Sequence, residues 1–172
     1  MASNKSATPQ FYGMVLDEEQ AAFVDAIKDQ SKTIVFCDAP AGTGKTTLAM
    51  IEVGMNPNTD VCGESMTAKK RGEGFVKLLT HTYLRGTNLQ NKVVILDESQ
   101  NYTVAELKKV LTRCHDSCKV IVIGHTGQID IRGGSGFAKY LEHFQGQERC
   151  AVCKLTTNHR GWLSTFADML EG

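Results

Sequence analysis

The sequence of 172 residues has no excess of either charge, because Lys and Arg together number 19 and Asp and Glu also number 19. A chain with zero formal net charge has no overall basic field to attract DNA or RNA, so any contact with nucleic acid has to be local. The chain also has no run of eighteen apolar residues, and its first ten, MASNKSATPQ, are polar. These absences give no support to a membrane span or a signal peptide, and we expect an intracellular, cytoplasmic protein.

The length and the hydrophobic content of 41% are those of a chain that buries one ordinary core. No internal repeat is visible. Residues 1–10 are rich in Ser, Thr, Asn and Ala, which predicts a flexible tail. We therefore expect a single domain over residues 11–172.

Short apolar runs alternate with helical patterns along the chain. The runs are TIVF at 33–36, VVIL at 93–96, VIVIG at 120–124 and AVCKLT at 151–156. Strands that are almost continuously apolar and are separated by helices indicate a parallel sheet covered on both faces. The predicted class is α/β, with a doubly wound sheet.

The remaining segments have weaker signals. Asp17 is placed to cap a first helix, and Thr103 with Glu106 forms the pattern of a capping box before another helix. A final helix is predicted over WLSTFADML, with Trp162 as its core contact. Residues 54–68 are poorly patterned and are predicted to be a loop. AKKRGEGFVKLLTH is expected to be partly helical, and HTYLRG to be a short strand.

A glycine loop follows the first strand directly. In CDAPAGTGKTT, Gly42 and Gly44 let the backbone approach an anion, and the next helix presents its N-terminus to phosphates. Lys45 adds a positive charge at the terminal phosphates, and Thr46 offers a hydroxyl to Mg²⁺. The predicted nucleotide-binding loop comprises Ala39, Pro40, Ala41, Gly42, Thr43, Gly44, Lys45, Thr46 and Thr47.

Ala39 stands where such a loop usually opens with glycine. If this position demands a positive φ, alanine costs about 1 kcal/mol, whereas each charge-assisted hydrogen bond to phosphate contributes about 1.5–3 kcal/mol. We therefore expect nucleotide binding to survive with an altered loop geometry.

Polar residues also follow the other predicted strands. Asp97 and Glu98 come after VVIL, residues 125–128 follow VIVIG, and residues 158–160 follow AVCKLT. The loops at the carboxyl ends of parallel strands converge on one site. There, Asp97 is expected to hold Mg²⁺ through its water shell, and Glu98 to orient or deprotonate an attacking water.

PAGTGKT, RGTNLQNKVVILDESQN, GQID followed by SG, and NHR together resemble the PhoH-like family, ATPases with a RecA-like core related to superfamily 1 helicases. The resemblance covers about residues 16–169. It implies a three-layer P-loop fold with a mostly parallel central sheet, and Mg²⁺-dependent hydrolysis of ATP. It also implies a homo-oligomeric ring, expected to be a hexamer, and leaves open binding to RNA or single-stranded nucleic acid with helicase activity. The family name refers to phosphate starvation, which describes regulation and not chemistry.

The resemblance also implies roles for single residues. Gln20 matches the upstream glutamine that contacts adenine, and Gln100 and Gln128 would sense the γ-phosphate. Arg160 resembles the catalytic finger that acts on a neighbouring subunit's nucleotide. Arg85 matches an RG element that touches phosphate or the adjacent subunit.

Two departures from the family pattern bear on activity. Gly124 and His125 stand where the pattern reads GD, which exchanges a fixed anion for a group that titrates near neutrality and puts hydrolysis in doubt. The span from Gly54 to Arg85 is also shorter than expected. A strand and a surface loop would be trimmed there, and an RNA-engaging surface with them.

Other functions stay open. An ATP-assembled scaffold with little turnover is favoured by His125, and a type II thymidine kinase would need a zinc site from Cys114, Cys118, Cys150 and Cys153. Cys150 and Cys153 lie three apart in a predicted strand and face opposite sides, so buried thiols are the favoured interpretation. A GTPase is disfavoured because no NKxD motif is present.

Overall fold

A computed structural model of the protein describes residues 10–11, 13–54, 60–61, 88–127 and 134–169. Their elements are, in chain order, β1 (Gln10–Phe11), β2 (Met14–Val15), α1 (Glu18–Lys28), β3 (Ile34–Asp38), α2 (Lys45–Gly54), β4 (Asp60–Val61), β5 (Lys92–Leu96), a 3-10 turn (Ser99–Asn101), α3 (Val104–Leu111), β6 (Lys119–Gly124), α4 (Gly136–Phe144), β7 (Cys150–Lys154) and α5 (Trp162–Asp168).

Five strands form one parallel sheet in the order β4-β5-β6-β3-β7. β3 lies between β6 and β7, and its last residue, Asp38, is paired with Gly124 on one side and with Lys154 on the other. Every residue of β3 is buried, as the apolar run predicts for a central parallel strand. The carboxyl ends of β6, β3 and β7 therefore lie side by side.

Helices cover both faces of the sheet. α1 and α2 pack on one face, where Phe23 and Leu48 join a core with Val35 and Ile121. α3 and α4 pack on the other face through Leu107 and Phe137, among a second set of apolar strand residues. This arrangement confirms the predicted three-layer α/β fold. None of the helices within the described ranges is long and apolar enough to cross a membrane.

Both predicted capping residues start helices. The carboxylate of Asp17 accepts a hydrogen bond of 2.8 Å from the backbone N of Gln20, whose side chain in turn accepts from the backbone N of Asp17. Thr103 and Glu106 make the same reciprocal pair at the start of α3. Each pair satisfies two backbone donors that would otherwise lack partners.

Two expectations about short strands differ from the structure. The stretch predicted to be a loop contains β4, which extends the sheet by pairing with Lys92 and Val93. Gln10, assigned to the tail, pairs with Val15 in the β1–β2 hairpin. Strands of two residues are too short to show a period in the sequence, which is why both were missed. The predictions for residues 68–86 lie outside the described residues.

The prediction that Trp162 packs into the core is wrong. Its side chain is 75% exposed and stacks on Phe166 with ring centroids 5.5 Å apart. Leu163 and Met169 are also exposed, so the apolar face of α5 points away from the sheet. A large aromatic residue indicates that a surface is to be covered, but the sequence does not say by what.

Cys150 and Cys153 lie on opposite faces of β7, as predicted, because Cys150 belongs to the α3/α4 core and Cys153 packs against the α1/α2 core. No group of three or more His, Cys, Asp or Glu side chains in the described part of the chain is placed to hold a metal. Burial raises the pKa of Cys153 to about 11 and that of Cys37 further still. These two thiols are protonated, apolar core residues at neutral pH.

Candidate nucleotide-binding cleft

A cavity of about 700 Å³ opens at the carboxyl end of β3. Its size falls within the range of small-molecule sites in proteins. Four segments that are distant in sequence line it, namely the start of the chain (Met14, Val15, Leu16 and Gln20), the glycine loop with the first turn of α2 (residues 41–42 and 44–48), Glu98, and the segment after β7 (His159 and Arg160).

The glycine loop has the backbone that the sequence predicts. Gly42 and Gly44 have φ angles of +85° and +80°, a region that side chains other than glycine adopt at a cost. Lys45 is 8% exposed, and its Nζ donates a 3.3 Å hydrogen bond to the carbonyl oxygen of Pro40 across the loop. The Lys45 ammonium is thus held against the glycine loop and lines the cavity.

Ala39 does not have the positive φ that would make alanine costly at the start of the loop. Among the residues described, only Asn91 and Glu98 combine a positive φ with a side chain, so Ala39 has an ordinary φ. It is fully buried, and its N–H donates to the carbonyl oxygen of Gly124 at 2.9 Å. Ala39 and the equally buried Thr43 support the loop from beneath, and their side chains do not line the cavity.

Asp97 lies beside the first turn of α2. Its Oδ1 accepts hydrogen bonds from the hydroxyl of Thr46 at 3.2 Å and from the backbone N of Glu98 at 2.9 Å. A hydroxyl and a carboxylate adjacent to a phosphate-binding loop are the oxygen ligands that Mg²⁺ takes together with nucleotide phosphates and water. The donor set therefore fits the ion.

Glu98 lines the cavity with an unusual backbone, φ 50° and ψ 40°. A left-handed conformation at a residue other than glycine costs of order 1–3 kcal/mol and is concentrated at functional sites. The Glu98 carboxylate accepts a 2.5 Å hydrogen bond from Nε2 of Gln100, which is 3% exposed. Gln100 does not itself line the cavity, and its Oε1 is buried without a partner among the described residues. Gln100 thus orients Glu98 from below.

Gln20 lies in the cavity wall and links α1 to the glycine loop. Its Oε1 accepts from the backbone N of Asp17 at 3.2 Å, and its Nε2 donates to the carbonyl oxygen of Thr43 at 3.0 Å. The amide nitrogen carries a second proton, which can be donated to a ligand. Gln20 therefore supports the loop as well as lining the cavity.

The segment 155–160 crosses the cleft as a strap, which is fastened to α1 and to the glycine loop. The Glu19 carboxylate accepts from the backbone N and the hydroxyl of Thr156, and Nε2 of His159 lies 2.9 Å from Oδ2 of Asp17. The backbone N of His159 donates to the carbonyl oxygen of Gly42 at 2.8 Å. These contacts hold the strap over the phosphate loop of the same chain.

Arg160 ends the strap inside the cavity wall. Its aliphatic part lies so close to Gly42 that a Cβ added to this glycine would be 2.5 Å from Cγ of Arg160. The structure therefore brings Arg160 to the loop of its own chain, together with Lys45 and Glu98. Gln128 and Arg85 lie outside the described residues.

Two polar residues of this region have roles that the sequence did not predict. His159 was expected at the site only as one of residues 158–160 and was given no role, yet it lines the cavity and contacts Asp17. Asp38, the last residue of β3, was not singled out, although it accepts hydrogen bonds from Thr126 and lies 3.4 Å from Nδ1 of His125. Both follow the rule used for Asp97, since each is a polar residue at the carboxyl end of a parallel strand.

Comparisons with known proteins find relatives of this chain. A family model described as "PhoH-like protein" matches residues 59–160, which include Asp97, Glu98 and Arg160. A PhoH-like protein of Mycobacterium leprae is 30% identical over 158 residues, covering 67% of this chain and 45% of the relative. Protein PhoH of Escherichia coli is 40% identical over 83 residues, covering 47% and 23%. The chain spans about half the length, or less, of these curated relatives.

Solved structures show the same fold at low identity. Bacteroides sp Pif1 in complex with ADP-AlF4 superimposes with a TM-score of 0.54 at 18% identity, covering 90% of this chain and 45% of that one. Pif1 helicase from Candida albicans gives a TM-score of 0.52 at 15% identity, covering 91% and 43%. The described residues therefore share the fold of part of these Pif1 structures.

Proposed function

Because the chain belongs to the PhoH-like family, we propose that it binds ATP with Mg²⁺ in this cleft and hydrolyses it. The observation that carries the proposal is the meeting of two strand ends in one crevice. The loop after β3 supplies Lys45 and Thr46, the end of β5 supplies Asp97 and Glu98, and the Thr46 hydroxyl lies 3.2 Å from Oδ1 of Asp97. These are the groups that hydrolysis of a nucleoside triphosphate requires.

The binding roles follow from the positions of the groups. The backbone N–H groups from Ala41 to Thr47 and the N-terminus of α2 bind phosphate oxygens, and the Lys45 ammonium adds a positive charge. Thr46 and Asp97 hold Mg²⁺, which neutralises phosphate charge when bound. The base contacts Gln20, which lines the cavity beside the glycine loop and has a second amide proton to donate.

Glu98 is proposed as the residue that orients the attacking water and accepts its proton. Gln100 fixes the direction of the Glu98 carboxylate through their hydrogen bond. Lys45 and Arg160 stabilise the charge that develops on the transferred phosphoryl group. Gln128, as a sensor of the γ-phosphate, and Arg85, as a phosphate or subunit contact, complete the proposed set.

The proposal also covers the assembly of the protein and its partners. A homo-oligomeric ring, with six copies, and RNA or single-stranded nucleic acid as a partner are what the family resemblance implies. One Pif1 structure concerns "DNA Unwinding at Forked dsDNA by two coordinating Pif1 helicases", which supports a search for both features in this chain. Light scattering with and without Mg·ATP, and ATPase stimulation by single-stranded RNA and DNA, test them.

Mixing two inactive variants tests the site and decides which subunit Arg160 serves. Lys45→Ala removes the positive charge proposed to bind phosphate, and Arg160→Ala removes the proposed catalytic finger. Loss of such a finger costs about 10³- to 10⁵-fold in rate. Since Arg160 lies against its own Gly42, we expect both variants to be inactive alone and the mixture to stay inactive. Recovery on mixing would show that Arg160 acts on a neighbour's nucleotide. Full activity of Arg160→Ala alone would remove it from the mechanism.

An ATP-binding scaffold with little turnover is the second candidate, because His125 replaces the acid of the family pattern. Calorimetry with Mg·ATP, combined with a phosphate-release assay, separates the two functions. Binding without release of phosphate would favour the scaffold, and the absence of binding heat would contradict both. A thymidine kinase-like transfer is the weakest candidate, since Cys150 and Cys153 face opposite sides of β7.

A further inference from the structure

The carboxylate of Asp38 contacts the turn that follows β6, residues His125–Gly127. Its Oδ2 accepts a 2.7 Å hydrogen bond from the Thr126 hydroxyl, and its Oδ1 accepts a 2.9 Å bond from the Thr126 backbone N. Nδ1 of His125 lies 3.4 Å from the same Oδ1. All of these partners belong to two successive residues, so one buried side chain fixes the start of one turn.

Asp38 is also the residue from which the phosphate loop departs. The next residue, Ala39, is hydrogen-bonded to Gly124, the last residue of β6. The carbonyl oxygen of Asp38 accepts from the backbone N of Leu155 at 3.2 Å. Leu155 begins the strap that carries His159 and Arg160. Asp38 therefore joins three adjacent strand ends whose loops surround the cleft.

The charge on Asp38 is maintained by these contacts. Burial opposes ionisation, but hydrogen bonds from the Thr126 hydroxyl and backbone N and from His125 outweigh it, and the pKa of Asp38 is lowered. An ionised carboxylate accepts hydrogen bonds at both oxygens, whereas an asparagine amide accepts at one and donates at the other. Asparagine at position 38 therefore leaves the Thr126 hydroxyl proton without its acceptor, since its NH2 can only donate to that hydroxyl, and it removes the negative charge that faces His125.

We infer that Asp38 is a positioning residue that couples the phosphate loop to the turn His125–Gly127. The coupling rests on the proposed function, since its purpose is to set the arrangement in which the bound triphosphate is hydrolysed. The contact between the end of β3 and the turn His125–Gly127 requires a carboxylate, which either β3 or the turn itself can supply. Because the His125 ring already reaches Oδ1 of Asp38, an aspartate at position 125 can place its carboxylate at the same contact.

The test uses the full chain in six forms: wild type, Asp38→Asn, His125→Asp, the double variant, Thr126→Val and Asp116→Asn. Asp116→Asn is the matched control, because it makes the same chemical change at an exposed ion pair with Arg149, before the start of β6. Thr126→Val removes only the hydroxyl contact and serves if Asp38→Asn does not fold. The measurements are kcat and KM for Mg·ATP, the Kd of a non-hydrolysable ATP analogue, and amide exchange of Thr126 by NMR.

We expect Asp38→Asn to lower kcat about 10- to 100-fold while KM and Kd change little, because the charge and the acceptor that fix the turn beside the phosphate loop are lost. His125→Asp alone sets two carboxylates together and should also be impaired, while the double variant recovers most of the turnover. Thr126→Val should lower kcat less than Asp38→Asn does, and Asp116→Asn should match wild type. The analogue should slow Thr126 exchange in wild type and in the double variant, but not in Asp38→Asn.

Wild-type turnover in Asp38→Asn, or a double variant as slow as the single ones, would overturn the inference. A rise in KM and Kd with unchanged kcat would also overturn it, by making Asp38 a binding residue. If the wild type binds the analogue without hydrolysing ATP, the proposed hydrolysis fails but the coupling is still decided. In that case slower Thr126 exchange in wild type but not in Asp38→Asn upholds the coupling, and equal slowing in both proteins refutes it.

Discussion

Glu98 has a strained backbone that its neighbours in the cleft hold in place. Glu98 keeps a left-handed backbone because Oδ1 of Asp97 accepts its N–H and Gln100 holds its carboxylate. A strained residue persists only where its surroundings over-determine it, and these two contacts do so on either side of its Cα. The direction of the proposed base is therefore set before any ligand arrives.

Gly42→Ala should abolish ATP binding, whereas Gly146→Ala should not. Both glycines have a φ of +85°, so each substitution costs about 1–2 kcal/mol of stability through the left-handed backbone. Only at Gly42 does the added Cβ collide, with Asn158 and Arg160, while nothing lies within 4 Å of it at Gly146. Urea unfolding and ATP titration of both variants check this. Retained binding in Gly42→Ala would show that the strap can move aside at no cost.

At the scale of elements, the strap 155–160 joins parts of the site that belong to distant segments. β7 ends on the side of β3 opposite β6, and the strap then turns back over the glycine loop to contact the first turn of α1. The N-terminus of α1 therefore has two roles, since Asp17 and Glu19 both begin a helix and hold the strap. The position of Arg160 depends on these carboxylates.

Glu19→Gln should loosen the strap and weaken ATP binding, with Glu18→Gln as a control in the same helical turn. Hydrogen bonds from the Thr156 backbone N and hydroxyl lower the pKa of Glu19 from its ordinary value of 4.5. The ionised contact is therefore complete above that value and is lost as the pH falls through the lowered pKa. The Thr156 amide shift in NMR should titrate below pH 4.5 in wild type but not in Glu19→Gln. Identical ATP Kd values in both variants would contradict the role.

At the scale of the whole molecule, the sequence predicts the sheet well and the site in part. Continuous apolar runs place β3, β5, β6 and β7 because central parallel strands are buried on both faces. The roles of Asp38 and His159 could not be read in advance, because each depends on a partner, Thr126 or Asp17, that only the folded chain brings near. Exposure of Trp162 was missed for the same reason, since composition does not reveal which surfaces meet.

Mg·ATP should stabilise the whole fold, because its site joins segments from residue 14 to residue 160. A ligand present at 100 times its Kd adds about 2.7 kcal/mol, which for a protein of this size raises Tm by roughly 5–10 °C. Lys45→Ala should show no such rise at the same ATP concentration. Differential scanning fluorimetry measures the Tm of both proteins with and without Mg·ATP. Equal Tm shifts in wild type and Lys45→Ala would place the nucleotide elsewhere.

Trp162 is the chain's single tryptophan, it is 75% exposed, and only Gly161 separates it from Arg160. We expect its indole to emit like a water-exposed fluorophore in the native protein, so that intrinsic fluorescence is a poor gauge of global denaturation. Its position two residues after Arg160, which lines the cavity, makes it a local optical reporter for the cleft. Stopped-flow quenching could therefore time nucleotide arrival without any attached dye.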